Sequence, residues 1–148
     1  MAVSVYSYTI YHSPNAYLGT VLLRRALAEL RWATSPFERE ELPARAFYAA
    51  DPTTRDLLDQ ALFEAAWVEG LDVNEPATVV WAAGRAGLDP EVLMMELAGP
   101  GLADGVRTAL AEFERLQCPG VPTVVVDGQR FFGKDRVDWI ADICRTGG

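Results

Sequence analysis

Hydrophobic and polar residues along the chain follow two different periods, and each change of period marks a new structural element. The segment Val3–Tyr11 alternates and is rich in Val, Tyr, Thr and Ile, a pattern that predicts a β-strand. The polar sequence His12-Ser13-Pro14-Asn15 interrupts it, and apolar residues then recur at helical spacing over Ala16–Leu30. The start of the chain therefore predicts a strand, a tight polar turn and a helix.

The middle of the chain predicts helices and no strand. Residues 31–43 contain the breakers Thr34-Ser35-Pro36 and Leu42-Pro43 and show no strand pattern. Beyond them the apolar spacing predicts a series of helices, one capped by Asn74 and the next opened by Asp89-Pro90. The predicted spans are Ala44–Ala50, Thr53–Glu69, Asn74–Ala86, Asp89–Ala98 and Leu102–Leu116.

The end of the chain predicts a β-hairpin followed by a last helix. Thr123–Val126 is a β-branched run, Gln129–Phe132 is its returning strand, and Asp127-Gly128 between them is a strong two-residue turn signal. Helical spacing resumes at Lys134. Neither end of the chain has enough strands for a sheet of its own, so the first strand must pair with the hairpin.

Pro122 lies directly before the hairpin and suggests an unusual backbone at that point. Proline has no N–H for the sheet, so it suits the start of a strand, and an X-Pro bond is the place where a cis peptide costs little. A cis Val121–Pro122 bond would turn the N–H and C=O of Val121 outward, where the main chain of a ligand can pair with them. A trans bond at a strand start is the alternative.

Together these elements predict an α/β fold. Residues 1–35 and 117–148 are expected to form a thioredoxin-like domain, and residues 36–116 an inserted all-helical domain. The chain has 148 residues, half of them hydrophobic, which is enough for a sizeable core.

Charge and composition exclude several classes of partner. The formal net charge is −8 and the 13 Lys and Arg residues are scattered, so neither nucleic acid nor an anionic membrane is expected to bind. No basic segment precedes an apolar core at the N-terminus, and no apolar run reaches the roughly 18 residues of a membrane span. Cys118 and Cys144 form no CxxC, which favours free thiols in a cytoplasmic protein and leaves a disulfide between them open.

Ser13 is the candidate catalytic residue. In the predicted fold the turn at Ser13 faces the bend at Val121-Pro122, and the start of the following helix gathers unpaired N–H groups and partial positive charge. A serine nucleophile needs an adjacent general base, and near Ser13 in the sequence there is no titratable base except His12. The Ser13 hydroxyl is therefore better suited to donate a hydrogen bond to a bound thiolate than to act as a nucleophile. Such a donor would lower the thiol pKa. The alternative is that Ser13-Pro14 only caps the helix.

Three other residue types have simpler interpretations. Helical positions place Trp67 and Trp81 in the core. His12 has no visible partners for a metal and is expected to be solvated. Cys118, close to the bend, is expected to be unreactive.

Four short motifs resemble one enzyme family. Ser13-Pro14-x-x-Tyr17-Leu18 after a strand is similar to the Ser-Pro-x-x-Tyr/Trp-Leu signature of kappa-class glutathione transferases and 2-hydroxychromene-2-carboxylate isomerases. Ala66–Val73 and Ala86–Pro90 resemble the family's Trp-x-Glu-Gly-x-Asp-Ile segment and its helix linker. Gly120–Thr123 and Gly133–Arg136 resemble its Gly-Val-Pro-Thr…Phe-Gly-x-Asp-Arg end. Their common order makes the resemblance fairly specific.

The resemblance implies a glutathione-dependent isomerase or transferase of the thioredoxin superfamily that acts on ring-opened aromatic acids. It also implies a homodimer in the cytoplasm or mitochondrion. The resemblance further implies that Ser13 contacts the glutathione sulfur. It also implies that Val121, before a cis Pro122, pairs with the cysteinyl backbone of glutathione. Lys134 and Asp135 match the positions that hold the γ-glutamyl end, although Asp135 also suits a first helical turn for its charge alone.

The candidate cofactor-binding set is completed by Pro14 and Asn15, which follow Ser13. Another low-molecular-weight thiol could replace glutathione. Two other functions stay open: a thiol-disulfide oxidoreductase relative, against which the missing CxxC argues, and a non-catalytic thioredoxin-like binding module.

The chain also departs from the family pattern. The second strand and the loops after it are expected to be absent between Leu30 and Pro43, together with an Asn that the family offers to glutathione near Ala44-Arg45. Either the chain is naturally shorter here or residues are missing from this sequence. Asn15-Ala16 replaces the more usual Tyr-Ser, a change that favours the binding module.

Overall fold

A computed structural model describes residues 4–28, 32–37, 42–99 and 102–147. The strands are β1 Val5–Thr9, β2 Ala33–Pro36, β3 Thr123–Val126 and β4 Gln129–Phe132. The helices are α1 Pro14–Ala26, α2 Leu42–Ala49, α3 Arg55–Trp67, α4 Pro76–Arg85, α5 Pro90–Leu97, α6 Leu102–Arg115 and α7 Val137–Thr146. A 3₁₀ turn, Lys134–Arg136, leads directly into α7. None of the described helices is long and apolar enough to cross a bilayer.

The strands form one mixed sheet in the order β2-β1-β3-β4. β2 runs parallel to β1, whereas β3 and β4 are antiparallel to their neighbours. At the hairpin both Asp127 (φ 46°) and Gly128 (φ 85°) have positive φ, as a two-residue turn of the favoured type requires. The predicted pairing of the first strand with the hairpin is therefore confirmed, and α2–α6 lie between β2 and β3 in the chain.

The prediction that no strand lies in residues 31–43 is wrong, because β2 forms there. Of its four residues, Ala-Thr-Ser-Pro, Thr34 alone is a strand former, and Ser35 and Pro36 are turn types. The strand exists because β1 offers it a parallel partner, with Thr9 opposite Pro36, and Phe37 N–H then donates to the Thr9 carbonyl at 3.0 Å. Pro36 is tolerated since it ends an edge strand, where a missing donor is harmless.

Two helix boundaries also differ from the sequence pattern. α1 begins at Pro14 and ends at Ala26, before the predicted end at Leu30, a position outside the described residues. Glu75, not Asn74, occupies the N-cap of α4. The expected opening of α5 is confirmed, because the Asp89 carboxylate caps it by accepting from two backbone N–H groups.

Two hydrophobic clusters stabilise the fold. Helices α1 and α7 cover one face of the sheet, and the buried residues between them are Val5, Leu23, Leu27, Val124, Val126, Val137, Ile140 and Ala141. The second cluster joins α2–α5 and also includes Tyr11 and Ala16. Because those two residues flank Ser13, the corner between β1 and α1 is built into the helical part of the molecule.

The buried Tyr11 and the partly buried Tyr48 make the fold sensitive to alkali. Tyr11 donates its hydroxyl to Asp59 at 2.7 Å, and Tyr48 donates to the Pro36 carbonyl at 3.0 Å. Burial, reinforced at Tyr11 by the charge of Asp59, raises the pKa of both phenols above their usual value near 10. Above that pH the unfolded chain loses these protons before the folded protein does, so stability falls as the pH rises.

We therefore expect the free energy of unfolding to fall above about pH 10, by up to about 1.4 kcal/mol per pH unit for each of these tyrosines. Denaturant titrations over this range, with tyrosinate absorbance, measure the slope. Tyr48→Phe should flatten this slope, because it removes one of the two titrating hydroxyls. Identical slopes for the wild type and Tyr48→Phe would contradict the assignment.

Candidate functional site

The corner between β1 and α1 holds Ser13 at the N-cap of α1. Its backbone is extended, with φ −96° and ψ 119°, and its Oγ accepts a hydrogen bond from the N–H of Ala16 at 3.1 Å. The cap uses the oxygen as an acceptor, so the hydroxyl proton stays available for donation to a bound group. The first turn of α1 contains no acidic residue, and Pro14 and Asn15 in it are exposed. Capping and donation to a thiolate are thus compatible at Ser13.

The bend before β3 lies beside this corner. Tyr8 of β1 pairs with Thr123 of β3, so the antiparallel register brings Val121 and Pro122 alongside the end of β1. The Val121–Pro122 peptide bond is cis, as expected. No described protein group forms a hydrogen bond with the N–H or the C=O of Val121. The register thus brings the N–H and C=O of Val121 beside the end of β1, the strand that leads to the Ser13 turn.

Gly19 of α1 allows this bend to lie directly on the helix. A β-carbon at Gly19 would lie 2.8 Å from Cγ of Pro122 and 3.5 Å from Cβ of Lys134. The N–H of Gly133 also donates to the Pro122 carbonyl at 2.9 Å. Pro122 and the 3₁₀ turn are therefore both seated on the same face of α1.

Lys134 and Asp135 lie farther along α1 than Ser13. They line a groove of about 560 Å³ together with Leu22 and Arg25 of α1. Leu22 is nine residues beyond Ser13, which is about 13 Å along a helix axis. A fully extended tripeptide spans about 10–11 Å, so a molecule of that size reaches from one end of this face toward the other.

Helix α3 holds the Ser13 corner from the helical side. The indole Nε1–H of Trp67 donates to the Tyr11 carbonyl at 2.8 Å, and the buried carboxylate of Asp59 accepts from Tyr11 at 2.7 Å and from Arg24 of α1 at 2.6 Å. Burial raises the pKa of the Asp59 carboxyl, while Arg24 and the Tyr11 hydroxyl oppose the rise. The His12 Nε2 lies 3.4 Å from the Asn74 amide nitrogen.

Sequence reasoning missed these α3 residues. Trp67 was expected in the core, but its side chain is 40% exposed, so that prediction is wrong; Trp81 is partly buried against the helical cluster. The sequence does contain one indication of the role of Asp59. It is an acidic residue between Leu58 and Leu62, on a helix face that must be buried, and a buried carboxylate needs a partner. Its hydrogen-bond partners come from elements far away in sequence, which no local pattern reveals.

Neither cysteine of the chain belongs to the segment at the start of α1. Ser13 and Ala16 occupy the corner, and Cys118 and Cys144 are free and partly buried. Burial raises the pKa of both thiols, so neither is poised as a thiolate. Within the described residues, no group of three or more His, Cys, Asp or Glu side chains is placed to hold a metal ion.

Comparisons with known proteins agree with this architecture. A family model described as the DSBA-like thioredoxin domain matches residues 11–144. The chain is 25% identical over 139 residues to glutathione S-transferase kappa 1 of Homo sapiens, a match that covers 89% of this chain and 57% of that protein. The chain therefore spans little more than half the length of this curated relative.

Solved structures show the same fold at low sequence identity. A 2-hydroxychromene-2-carboxylate isomerase superimposes with a TM-score of 0.82 at 14% identity, covering 97% of each chain. A probable DsbA oxidoreductase from Streptomyces coelicolor gives 0.80 at 19% identity, over 97% of this chain and 89% of that one. The thioredoxin-like α/β fold class and the resemblance stated from the motifs are confirmed.

Proposed function

Since the chain belongs to the DSBA-like thioredoxin domain family, we propose that it uses glutathione, or another low-molecular-weight thiol, to isomerise or conjugate small hydrophobic acids. The acids would be of the kind met in aromatic catabolism. This assignment extends to the chain what the names of the kappa transferase and of the isomerase say of those proteins. The family itself supports enzyme activity at the coarser level of the oxidoreductase and isomerase superfamily.

The observation that carries the proposal is that the open main chain of Val121 lies beside the end of β1, the strand that leads to Ser13. Disulfide exchange needs two cysteines, and the start of α1 offers Ser13 and Ala16 instead. A hydroxyl at a helix N-cap suits a thiolate brought by a cofactor. The N–H and C=O of Val121 fit the peptide main chain of the same molecule. Glutathione combines both groups.

Each residue of the site has a separate task in this proposal. Bound glutathione would supply a thiolate that adds reversibly to an unsaturated bond of the substrate. The Ser13 hydroxyl donates a hydrogen bond to the glutathione sulfur and so favours the thiolate over the thiol. Val121 aligns the cysteinyl main chain, and Pro14 and Asn15 border the sulfur at the exposed start of α1.

The far end of the cofactor would lie in the groove at the 3₁₀ turn. We assign Asp135, which is exposed, to the γ-glutamyl ammonium and Lys134, which is partly buried, to the same end. The backbone N–H groups at the start of this turn suit the γ-glutamyl carboxylate. A homodimer in the cytoplasm is part of the proposal, and the two free cysteines are consistent with a reducing compartment.

Glutathione binding and a serine substitution test the proposal. We expect calorimetry to show glutathione binding, and thiolate absorbance to show a bound thiol pKa below that of free glutathione. Ser13→Ala should raise the bound thiol pKa by about one unit and lower turnover about tenfold, because one pKa unit corresponds to about 1.4 kcal/mol. Ser4→Ala, at the opposite end of β1, is the matched control and should change neither quantity.

Two results would overturn the proposal. A thiol pKa unchanged by Ser13→Ala would remove the role of Ser13. Failure of glutathione, cysteine and other low-molecular-weight thiols to bind at all would favour the non-catalytic module, which the Asn15-Ala16 sequence also favours.

A further inference from the structure

A second cavity lies on the sheet face opposite α1 and α7. Side chains alternate along β1, so Val5 faces the cluster packed against α1 and α7, whereas Tyr6 and Tyr8 point to the other face. Between that face and α6 lies a groove of about 660 Å³, which we call the α6 groove. Ser13 and Val121 are not among the described residues that line it, so the groove is separate from the candidate thiol site.

Three tyrosine rings line the α6 groove, Tyr6 and Tyr8 from β1 and Tyr48 from α2. The Tyr48 ring is held on two sides. Its hydroxyl donates to the Pro36 carbonyl at 3.0 Å, and α6 approaches the ring at Gly105, where a β-carbon would lie 2.6 Å from Cγ of Tyr48. This aromatic wall is therefore fixed in place by the fold itself.

The Tyr8 hydroxyl is an unused hydrogen-bonding group in the α6 groove. The Tyr8 side chain is only 6% exposed, yet its hydroxyl forms no hydrogen bond with any described residue. The oxygen is not one of the described polar atoms that are both unpaired and closed off from solvent, so it opens into the groove that Tyr8 lines. Since a buried polar side chain normally has a partner, this hydroxyl is available to a bound molecule.

Negative charge predominates around this hydroxyl. Among the described residues that line the groove, Asp104, Glu112 and Asp127 are acidic and Arg115 alone is basic. The Arg115 guanidinium is already bound to the Glu112 carboxylate at 2.6 Å. Burial, and next the charge of Glu112, raise the pKa of the Tyr8 phenol, while Arg115 opposes the rise. A cation placed in the groove is therefore favoured over an anion.

We propose that the α6 groove binds a small organic cation, a primary ammonium group carried on an aromatic or aliphatic body. The ammonium N–H donates to the Tyr8 hydroxyl oxygen, and the carboxylates that line the groove balance its charge. Aromatic faces attract cations and pack well against hydrocarbon, so the rings of Tyr6 and Tyr48 suit the rest of the molecule. The volume of about 660 Å³ lies within the usual range for small-molecule sites.

Amide NMR titrations at neutral pH with benzylammonium, benzyl alcohol and benzoate test the inference, because the three ligands share a ring and differ in charge. The wild type should bind benzylammonium with a Kd on the order of 1 mM, as suits so small a ligand, and benzoate at least about tenfold more weakly. Benzyl alcohol should fall between them. The shifts that benzylammonium induces should lie on β1 and α6.

Two variants test the groups that carry the inference. Glu112→Gln removes one negative charge from the groove, and Tyr8→Phe removes the hydroxyl while keeping the ring; each should weaken benzylammonium binding about threefold or more. Glu114→Gln is the matched control, because it makes the same change of charge at an exposed residue of α6 outside the groove, and it should leave the Kd unchanged. If Tyr8→Phe does not fold, Glu112→Gln decides the question, since that side chain is 42% exposed.

Three results would overturn the inference. The first is benzoate binding as tightly as benzylammonium, and the second is a benzylammonium Kd that neither Glu112→Gln nor Tyr8→Phe changes. The third is the lack of any shift on α6 at about 10 mM benzylammonium, including the case in which shifts are confined to Lys134 and Asp135. None of these results bears on the proposed function, because glutathione binding is measured separately.

Discussion

Replacing Asp59 by alanine is expected to destabilise the protein by about 3–5 kcal/mol, because it breaks a buried ion pair from one side. The Asp59 side chain is fully buried, and its oxygens accept from Tyr11 at 2.7 Å and from Arg24 at 2.6 Å. Its loss removes the acceptor of the buried Tyr11 hydroxyl and leaves Arg24 paired with the exposed Asp56 carboxylate at 2.8 Å. The cost is therefore the desolvation of groups left without their partner.

The same substitution should also weaken the site. Tyr11 precedes Ser13 by two residues and Arg24 belongs to α1, so Asp59 joins both arms of the corner to α3. On the proposed function, and under conditions where Asp59→Ala is still folded, we expect its glutathione affinity to be lower than that of the wild type. Denaturant unfolding gives the stability and calorimetry gives the affinity.

Asp56→Asn is the matched control for Asp59→Ala. Asp56 pairs with the same arginine, but its side chain is 62% exposed, so we expect a loss below about 1 kcal/mol. If both variants lost a similar amount of unfolding free energy, the burial of Asp59 would not be what makes its ion pair important. A change in Asp59→Ala of less than about 1 kcal/mol would contradict the role assigned to Asp59.

Gly19→Ala is expected to destabilise the protein by up to about 2 kcal/mol, although alanine is the better helix former. The new β-carbon would lie 2.8 Å from Cγ of Pro122, and a proline ring cannot rotate away as a flexible side chain can. The overlap costs about 1–3 kcal/mol, against a gain in helix propensity of about 0.5–1 kcal/mol. Separation of Pro122 from α1 would move Val121, so glutathione affinity should fall as well.

Gly84→Ala provides the opposite case in the same protein. Gly84 lies in α4, and a β-carbon there meets no atom within 4 Å. We expect this substitution to stabilise the protein by about 0.5–1 kcal/mol and to leave glutathione affinity unchanged. Thermal or denaturant unfolding measures both stability changes. If Gly19→Ala stabilises the protein as Gly84→Ala does, close contact between Pro122 and α1 does not control the candidate site.

The sequence predicted the parts of the fold that depend on neighbours in the chain. Asp127-Gly128 marked the hairpin because positive φ at two successive positions favours those residue types, and Asp89 marked the start of α5 because its carboxylate caps the helix locally. β2 was not predicted since, apart from Thr34, its residues lack strand propensity, and the strand takes its conformation from β1. The same limit applied to Trp67, whose helical position resembles that of a core residue.

The sequence by itself determined which groups are candidates for the site. A hydroxyl at a helix start, a proline before a strand and a basic-acidic pair at the last helix can all be read from Ser13, Pro122 and Lys134-Asp135. Only the tertiary structure decided how those groups are arranged, because the register of β1 with β3, the missing side chain at Gly19 and the Asp59 ion pair act between residues far apart in the chain. Local residue type sets what a corner can donate or accept, whereas packing between distant elements sets what lies opposite it.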